Sequence, residues 1–285
     1  MRPTVFSPQF DPDQSEAEYN LRRRHADFPE ILARWQAWSA QTRATLALHA
    51  DQAYGPSEDE RVDIFPAAQA GAPLLLFIHG GYWQGGDKRD VSFVAHRLVG
   101  SGIAVAVSNY ALAPHVPLGT MVEQTRRLVD WLHREAARFG ADPQRIFLMG
   151  HSAGGHLAAM MLSDHGPQQA GVRAALRGVF AISGLFELTP LLTTSINRAL
   201  GLSPEQAVQL SPARGRRVCD APLWTLVGAD ETESFRTQAG WIAAQWSNVR
   251  PLPWVAGKHH YTVLDIFRDA AHPCRDAIAG VVLGC

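Results

Sequence analysis

A pentapeptide of the form Gly-x-Ser-x-Gly at residues 150–154 constrains the fold of this chain more than any other feature. The apolar run Arg145–Met149 before it predicts a short strand, and the Ala-, Met- and Leu-rich run Leu157–Leu162 after it predicts a helix. A serine held between glycines at such a junction lies on a sharp strand-to-helix turn that exposes its hydroxyl group, an arrangement called a nucleophile elbow. We therefore predict that Ser152 is a nucleophile at the carboxyl end of a buried strand.

Further apolar stretches predict strands, and most of them alternate with helical patterns along the chain. The predicted strands are Arg61–Phe65, Pro73–Ile78, Ile103–Val107, Arg177–Ile182, Pro222–Val227 and Val249–Val255. The predicted helical stretches are Ser15–Leu48, Val91–Val99, Met121–Phe139, Glu187–Leu210 in short pieces, Phe235–Trp246 and Thr262–Ala271. This alternation predicts an α/β fold with right-handed βαβ units, in which a mainly parallel central sheet carries helices on both faces.

Residues 1–52 are expected to form a helical N-terminal segment. Within it Ile31, Leu32, Trp35 and Trp38 fall on one face of a helix. Such a stripe either packs into a core or belongs to a cap over the mouth of an active site, and the sequence leaves both interpretations open. Because the chain shows no internal repeat, low-complexity tract or long linker, we expect a single domain over residues 1–285.

The composition argues against several classes of partner. A formal net charge of −1 gives no reason to expect nucleic acid or an anionic membrane, so a small-molecule substrate is expected and a homodimer is left open. No apolar run approaches the roughly 20 residues of a membrane span, and Met1–Asp13 lacks the apolar core of a signal peptide. Because Cys219, Cys274 and Cys285 show no Cys-x-x-Cys spacing, reduced thiols and a cytoplasmic location are expected.

Motifs for cofactors and metals are not found in the sequence. There is no phosphate-binding glycine motif, so no nucleotide cofactor is expected. His151 and His156 flank the elbow, but neither belongs to a His-Glu-x-x-His pattern or a carboxylate-rich cluster at ligand spacing, so no metal is expected either. We expect His156 to pack within the helix.

A serine nucleophile needs a histidine base that a carboxylate orients. On a strand–turn–helix elbow of this kind, the chain order is serine, acid, histidine. His259 and His260 follow the last predicted strand, and only one of them can point at the serine. The loop after the strand Pro222–Val227 supplies three possible acids, which the residues alone do not separate: Asp230, Glu231 and Glu233.

The negative charge that develops on the substrate oxygen needs backbone N–H donors. One donor is expected from Ala153, which directly follows the nucleophile. Others are expected from the loop His-Gly-Gly-Tyr-Trp at residues 79–83, which follows a buried strand. Gly81 allows the backbone to approach the substrate closely, and Tyr82 is expected to donate its own N–H.

Several motifs together resemble those of the arylformamidases (kynurenine formamidases) of the α/β-hydrolase superfamily, which are close to the hormone-sensitive-lipase-like esterases. They lie at residues 79–84, 110–114, 150–158, 183–188, 194–200 and 211–212. The likeness extends from roughly Ala53 to Phe267. It implies that the acid lies four residues before a phenylalanine, which selects Glu231 with Asp230 as the alternative. It also implies that the base precedes an aromatic residue, which selects His260.

The resemblance implies hydrolysis of N-formyl-L-kynurenine to L-kynurenine and formate through a formyl-enzyme. Tyr82 and Trp83 are then expected to stack on the aryl ring. Ser195 and Asn197 are expected to bind the amino-acid end, although short polar residues in a helical connection also act as caps. The alternatives are a carboxylesterase or amidase for other small acyl groups, and a catalytically silent binding protein, which would be expected to have a damaged triad.

Overall fold

The computed structural model describes residues 11–284. Residues 1–10 and Cys285 lie outside the described range. The prediction that Met1–Asp13 is not a signal peptide therefore falls mostly outside it, as does the predicted thiol of Cys285. Among the described residues, no helix combines the length and the apolar character needed to cross a bilayer.

An eight-stranded sheet runs through the molecule in the order β1-β2-β4-β3-β5-β6-β7-β8. The strands are β1 His49–Ala53, β2 Arg61–Phe65, β3 Ala72–Ile78, β4 Ala104–Ser108, β5 Ala141–His151, β6 Leu176–Ile182, β7 Leu223–Leu226 and β8 Val249–Pro251. The β1–β2 and β2–β4 pairs are antiparallel, and the other neighbours are parallel. The predicted α/β fold with a mainly parallel sheet is confirmed.

Helices cover both faces of this sheet. The α-helices are α1 Pro12–Tyr19, α2 Leu21–Arg24, α3 Phe28–Thr45, α4 Lys88–Val91, α5 Ala95–Gly100, α6 Leu118–Glu135, α7 Ala153–Met160, α8 Ala170–Ala175, α9 Asn197–Leu200, α10 Pro204–Gln209, α11 Glu233–Gln245 and α12 Pro273–Leu283. Strand β3 shows why both faces need cover: Leu74, Leu76 and Ile78 belong to one apolar cluster, and Leu75 and Phe77 belong to the other. Successive side chains of a strand point to opposite faces, so a continuous apolar run is buried on both.

The predicted C-terminal helix is wrong in its position. Residues Thr262–Phe267 form a 3₁₀ helix, and the last α-helix, α12, begins at Pro273 after an N-cap at His272. A proline lacks the backbone N–H that a helix interior needs but fits the first turn, so Pro273 begins a helix instead of extending one. The predicted strand Val249–Val255 is likewise shortened to β8, which pairs with β7 as far as Pro251, because Pro251 and Pro253 have no N–H to donate to the ladder.

Strand β1 was not predicted from the sequence. It lies at the edge of the sheet and is largely exposed, so it has no apolar alternation to reveal it. The pairing with β2 supplies its order instead.

The N-terminal segment, defined here as helices α1 to α3, passes from one face of the sheet to the other. Tyr19 and Leu21 pack in the first apolar cluster, whereas Ile31 and Trp35 pack in the second. The Trp35 indole N–H also donates to Asp265 at 3.0 Å, in the chain that follows β8. Of the predicted stripe, Ile31 and Trp35 therefore pack into the core, Trp38 packs against it, and Leu32 stays outside it.

Candidate active site

Ser152 occupies a strained position between β5 and α7. Its φ of 55° and ψ of −117° lie outside the regions that side-chain-bearing residues ordinarily adopt. The flanking glycines make this turn possible. A Cβ on Gly150 would lie 2.1 Å from the carbonyl oxygen of Gly154, and a Cβ on Gly154 would lie 2.0 Å from that of Ile78. Neither site accepts a side chain, so the Gly-x-Ser-x-Gly pattern follows from the packing of the turn.

A buried histidine–carboxylate pair lies near this serine. The Nδ1 atom of His260 is 2.8 Å from Oε2 of Glu231, and both side chains are almost fully buried. Because the carboxylate can only accept there, Nδ1 carries the proton and Nε2 keeps a lone pair that can take a proton from a hydroxyl. Ser152 and His260 line the same cavity of about 230 Å³.

Two donors fix the second oxygen of the Glu231 carboxylate. Its Oε1 accepts from the Ser183 hydroxyl at 2.5 Å and from the Gly228 N–H at 2.7 Å. Ser183 directly follows β6 and has a φ of +51°, so its backbone is also held in an uncommon conformation. Ser183 was not predicted as a site residue, and the signal that could have identified it is its place at the end of the strand next to the elbow strand. The network leaves the carboxylate one orientation.

The alternative acids and the second histidine lie elsewhere. Asp230 and Glu233 are exposed. The His259 ring is half-buried and stacks on His25, with ring centroids 4.1 Å apart. Of the residues that the sequence left as alternatives, the structure brings together Glu231 and His260.

The loop at residues 79–86 contains three successive residues with positive φ. Gly81 has a φ of +114°, and a Cβ there would lie 2.2 Å from the carbonyl oxygen of Gly85. Tyr82 and Trp83 follow with φ values of 51° and 56°. Within residues 11–284, the N–H groups of Tyr82 and Ala153 donate no hydrogen bond to protein atoms. Ala153 begins α7, where unpaired N–H groups and the helix dipole favour negative charge.

Trp83 does not reach the cavity, and the prediction that it stacks on a substrate ring is wrong. Its side chain is 0% exposed and meets the His156 ring edge-to-face at 5.0 Å. Burying so large an apolar side chain stabilises the loop from beneath. Tyr82 does line the cavity, and its hydroxyl donates to the carbonyl of Tyr19 at 2.6 Å. His156 packs within the fold as expected, since its Nε2 donates to the Leu210 carbonyl at 2.7 Å.

Ser195 and Asn197 take different places. Ser195 lines the cavity, but its hydroxyl and its N–H both donate to the Glu16 carboxylate at 2.7 Å. Asn197 does not line the cavity, and its side chain accepts from the Leu202 N–H at 2.8 Å and donates to the Leu202 carbonyl at 3.1 Å. The prediction that Asn197 binds substrate is therefore wrong, because its amide closes the turn after α9.

His151, which sequence analysis did not assign to the site, lines the cavity beside the serine. Its Nε2 is 2.8 Å from the carbonyl oxygen of His260. Burial holds the pKa of His151 well below its ordinary value, so the ring is neutral and its Nε2–H donates to that carbonyl. This bond ties the elbow to the loop that carries His260.

The N-terminal segment supplies part of the cavity wall. The residues it contributes are Asn20, Leu21, Arg22 and Phe28. No periodic pattern distinguishes them from other helix residues, so their place at the site could not be predicted from the sequence. Arg22 is the one Lys or Arg side chain in the lining among the described residues.

Among residues 11–284, one group of three side chains lies close enough to share a metal ion. It consists of His25, Asp27 and His259, whose ligand atoms all lie within 4.8 Å of one another. The two imidazole rings are stacked with an interplanar angle of 16°. Lone pairs in parallel ring planes do not converge on one ion, so this geometry fits ring stacking better than a metal centre.

Comparison with known sequences supports the family suggested by these motifs. The BD-FAE family model matches residues 62–176. A kynurenine formamidase of Danio rerio is 33% identical over 198 residues, which cover 66% of this chain and 65% of that protein. Another from Salmo salar is 36% identical over 195 residues, covering 65% of this chain and 64% of the other. The chain thus spans slightly less than two thirds of the length of these curated relatives.

Solved structures share the whole architecture. A thioesterase candidate from Silicibacter sp. TM1040 is 30% identical and matches with a TM-score of 0.82, covering 98% of this chain and 100% of that one. The metagenomic carboxylesterase EstE1 is 22% identical and matches with a TM-score of 0.66 over 98% of each chain. The resemblance to arylformamidases and esterases that the motifs suggested is confirmed. The full-length match to the Silicibacter structure at 30% identity, together with the mainly parallel sheet and the elbow at Ser152, shows that this chain belongs to the α/β-hydrolase superfamily.

Proposed function

We propose that the protein hydrolyses the formamide bond of N-formyl-L-kynurenine, giving L-kynurenine and formate. The observation that carries the proposal is that His260, which is paired with the buried Glu231, lines the same cavity as Ser152, with Arg22 in the cavity wall. The fish relatives named kynurenine formamidase point to the same chemistry. A cationic side chain beside the nucleophile favours a substrate that carries a carboxylate.

In the first step, Ser152 Oγ attacks the formyl carbon while His260 Nε2 takes the hydroxyl proton. Glu231 stabilises the resulting imidazolium through Nδ1. The carbonyl oxygen becomes an oxyanion, and the N–H groups of Tyr82 and Ala153 stabilise it. Each such donor is worth about 10²–10³ in rate.

In the second step, His260 gives its proton to the aniline nitrogen as the C–N bond breaks. L-kynurenine leaves, and Ser152 carries a formyl ester. Water then attacks the formyl carbon with His260 as the base, and collapse of the second intermediate returns the proton to Ser152 and releases formate.

Hydrolysis of short-chain esters is the second candidate function. The structural match to the carboxylesterase EstE1 favours it, since the same serine, base and donors can cleave an ester. The two functions differ in what the cavity wall must recognise, because an ester of a neutral alcohol gains nothing from Arg22.

The test is a comparison of kcat/KM for N-formyl-L-kynurenine and p-nitrophenyl acetate on one preparation. We expect about 10⁴ M⁻¹s⁻¹ or more for the formamide, well above the value for the ester. The Ser152→Ala variant, purified in parallel, controls for contaminating hydrolases. Ester turnover with negligible deformylation would contradict the proposal and favour the esterase.

A further inference from the structure

A second chamber of about 110 Å³ adjoins the active-site cavity. The two share a wall formed by Arg22, Phe28, Gly81, His151 and Tyr261. Ser152 and His260 line only the larger cavity. A substrate that reacts at Ser152 can therefore extend into the second chamber only with an end that does not react.

Most of the second chamber is apolar. Leu32 and Trp35 of α3 and Val91 of α4 line it, and the rings of Phe28 and Tyr261 stand 4.3 Å apart at its shared wall. At this spacing the two rings pack on each other and together give the chamber an aromatic wall. The chamber thus accepts the carbon skeleton of an aryl-bearing substrate.

The same chamber carries charges of both signs. Arg22 forms no ion pair with a carboxylate among residues 11–284, and a Cβ on Gly85 would lie 3.3 Å from its Nη2, so the guanidinium lies over the loop of Tyr82. Asp87 accepts from the Arg89 N–H at 2.7 Å and from the Asn109 amide at 2.8 Å, so both of its oxygens are occupied.

Asp90, by contrast, has capacity to spare. Within the described chain its carboxylate accepts one hydrogen bond, from the Gln36 amide to Oδ1 at 2.9 Å. Its second oxygen is available to a ligand with N–H donors.

A buried acceptor without a partner lies in the same lining. His79 is 1% exposed, and its Nδ1 is 2.8 Å from the Gly80 carbonyl, to which it donates. The lone pair then lies on Nε2, which has no hydrogen-bond partner among residues 11–284. Buried polar atoms are seldom left unpaired, but this one has almost no accessible surface, so a ligand in the chamber does not reach it.

We infer that the second chamber is a subsite for a zwitterionic α-amino-acid group attached to an aryl ring. Arg22 pairs with the carboxylate, Asp90 accepts from the ammonium, and Phe28 and Tyr261 contact the ring. The inference deepens the proposed function and rests on it for the identity of the aryl amino acid. It makes the N-terminal segment, through Arg22, a determinant of specificity.

The test measures binding without any chemical step. Isothermal titration calorimetry gives Kd for L-kynurenine, for its decarboxylated analogue, which keeps the ammonium, and for its deaminated analogue, which keeps the carboxylate. Arg22→Gln should raise the Kd of L-kynurenine and of the deaminated analogue by about 10- to 100-fold and leave the Kd of the decarboxylated analogue unchanged. Asp90→Asn should raise the Kd of L-kynurenine and of the decarboxylated analogue and leave the Kd of the deaminated analogue unchanged.

Matched controls remove charge from exposed neighbours outside both chambers: Arg24→Gln for the cation and Glu30→Gln for the acid. Both should bind all three ligands as the wild type does. Equal losses for all ligands, or no loss in either variant, would overturn the inference. If the charge-specific pattern appears but formylkynurenine is not deformylated, the proposed reaction fails while the amino-acid subsite stands.

Discussion

The catalytic groups and the N-terminal segment are built in different ways. Ser152, Glu231 and His260 are 2%, 5% and 2% exposed, and each follows a strand of the sheet. Asn20, Arg22 and Phe28 of the N-terminal segment are half-buried or exposed. The sheet therefore places the reacting groups, whereas the N-terminal segment forms a separate layer that lines the same cavity.

Side-chain contacts to distant parts of the chain hold the N-terminal segment in place. The Glu16 carboxylate accepts from Ser195, and the Glu18 carboxylate accepts from the Ser234 N–H at 3.0 Å. The Tyr19 hydroxyl accepts from the Gln238 amide at 2.9 Å. Changes in this layer should therefore alter substrate affinity, whereas changes in the triad should alter the chemical step.

The largest expected effect concerns the nucleophile of the triad, Ser152. Ser152→Ala removes the only nucleophile that the proposed mechanism uses, so kcat should fall by about 10⁴-fold or more. The thermal midpoint and circular dichroism spectrum should stay those of the wild type, which controls for folding. Turnover close to wild type would contradict the serine mechanism.

The next effect separates the two adjacent acids. Glu231→Gln keeps the shape of the side chain but loses the charge that orients His260, so kcat should fall by about 10³- to 10⁴-fold. Asp230→Asn is the matched control, because Asp230 is exposed, and it should change kcat by less than about threefold. Steady-state kinetics on both variants decide the matter, and the reverse pattern would make Asp230 the acid.

A smaller effect concerns the stability of the buried core beneath the elbow. Burial lowers the pKa of His156 from 6.5 to about 4. The unfolded chain then binds more protons between these values, so stability is complete above about pH 6.5 and falls as the pH drops towards 4. At about pH 5 this histidine should lower the free energy of unfolding by roughly 2 kcal/mol relative to neutral pH.

Urea unfolding of wild type and His156→Gln at about pH 7.5 and about pH 5 checks this prediction. The variant should lose less stability between the two pH values, while the exposed His49→Gln control should behave as the wild type. An unchanged pH dependence in His156→Gln would show that this histidine is not the group responsible.

The smallest effect tests the N-terminal layer. Glu16→Gln weakens the link to Ser195, so the cavity wall becomes less ordered and KM should rise about 3- to 10-fold with little change in kcat. Asp13→Asn, on an exposed position of the same helix, is the control. A fall in kcat without a change in KM would show that Glu16 affects the chemical step and not substrate affinity.

The features predicted well from sequence are those fixed by short-range rules. The Gly-x-Ser-x-Gly turn leaves no room for side chains at Gly150 and Gly154, and buried strands such as β3 show as continuous apolar runs. These rules act within a few residues, so the fold and the position of the elbow follow from the chain itself.

The features that escaped prediction depend on contacts between distant residues. Trp83 and Tyr82 are adjacent aromatic residues, and only the packing decides that Tyr82 faces the cavity while Trp83 is buried. The polar helical connection around Asn197 suggested a ligand contact, whereas the Asn197 amide bonds to the backbone of Leu202. Arg22 lies in a run of three arginines, and nothing local distinguishes it from its neighbours.

The most direct test of the account is to locate the nucleophile chemically. A fluorophosphonate reacts with an activated serine, and peptide mapping by mass spectrometry identifies the residue that carries the adduct. We expect one adduct per chain, on Ser152, with labelling abolished in Ser152→Ala and strongly slowed in Glu231→Gln. An adduct on another residue, or an unlabelled enzyme that still deformylates its substrate, would contradict it.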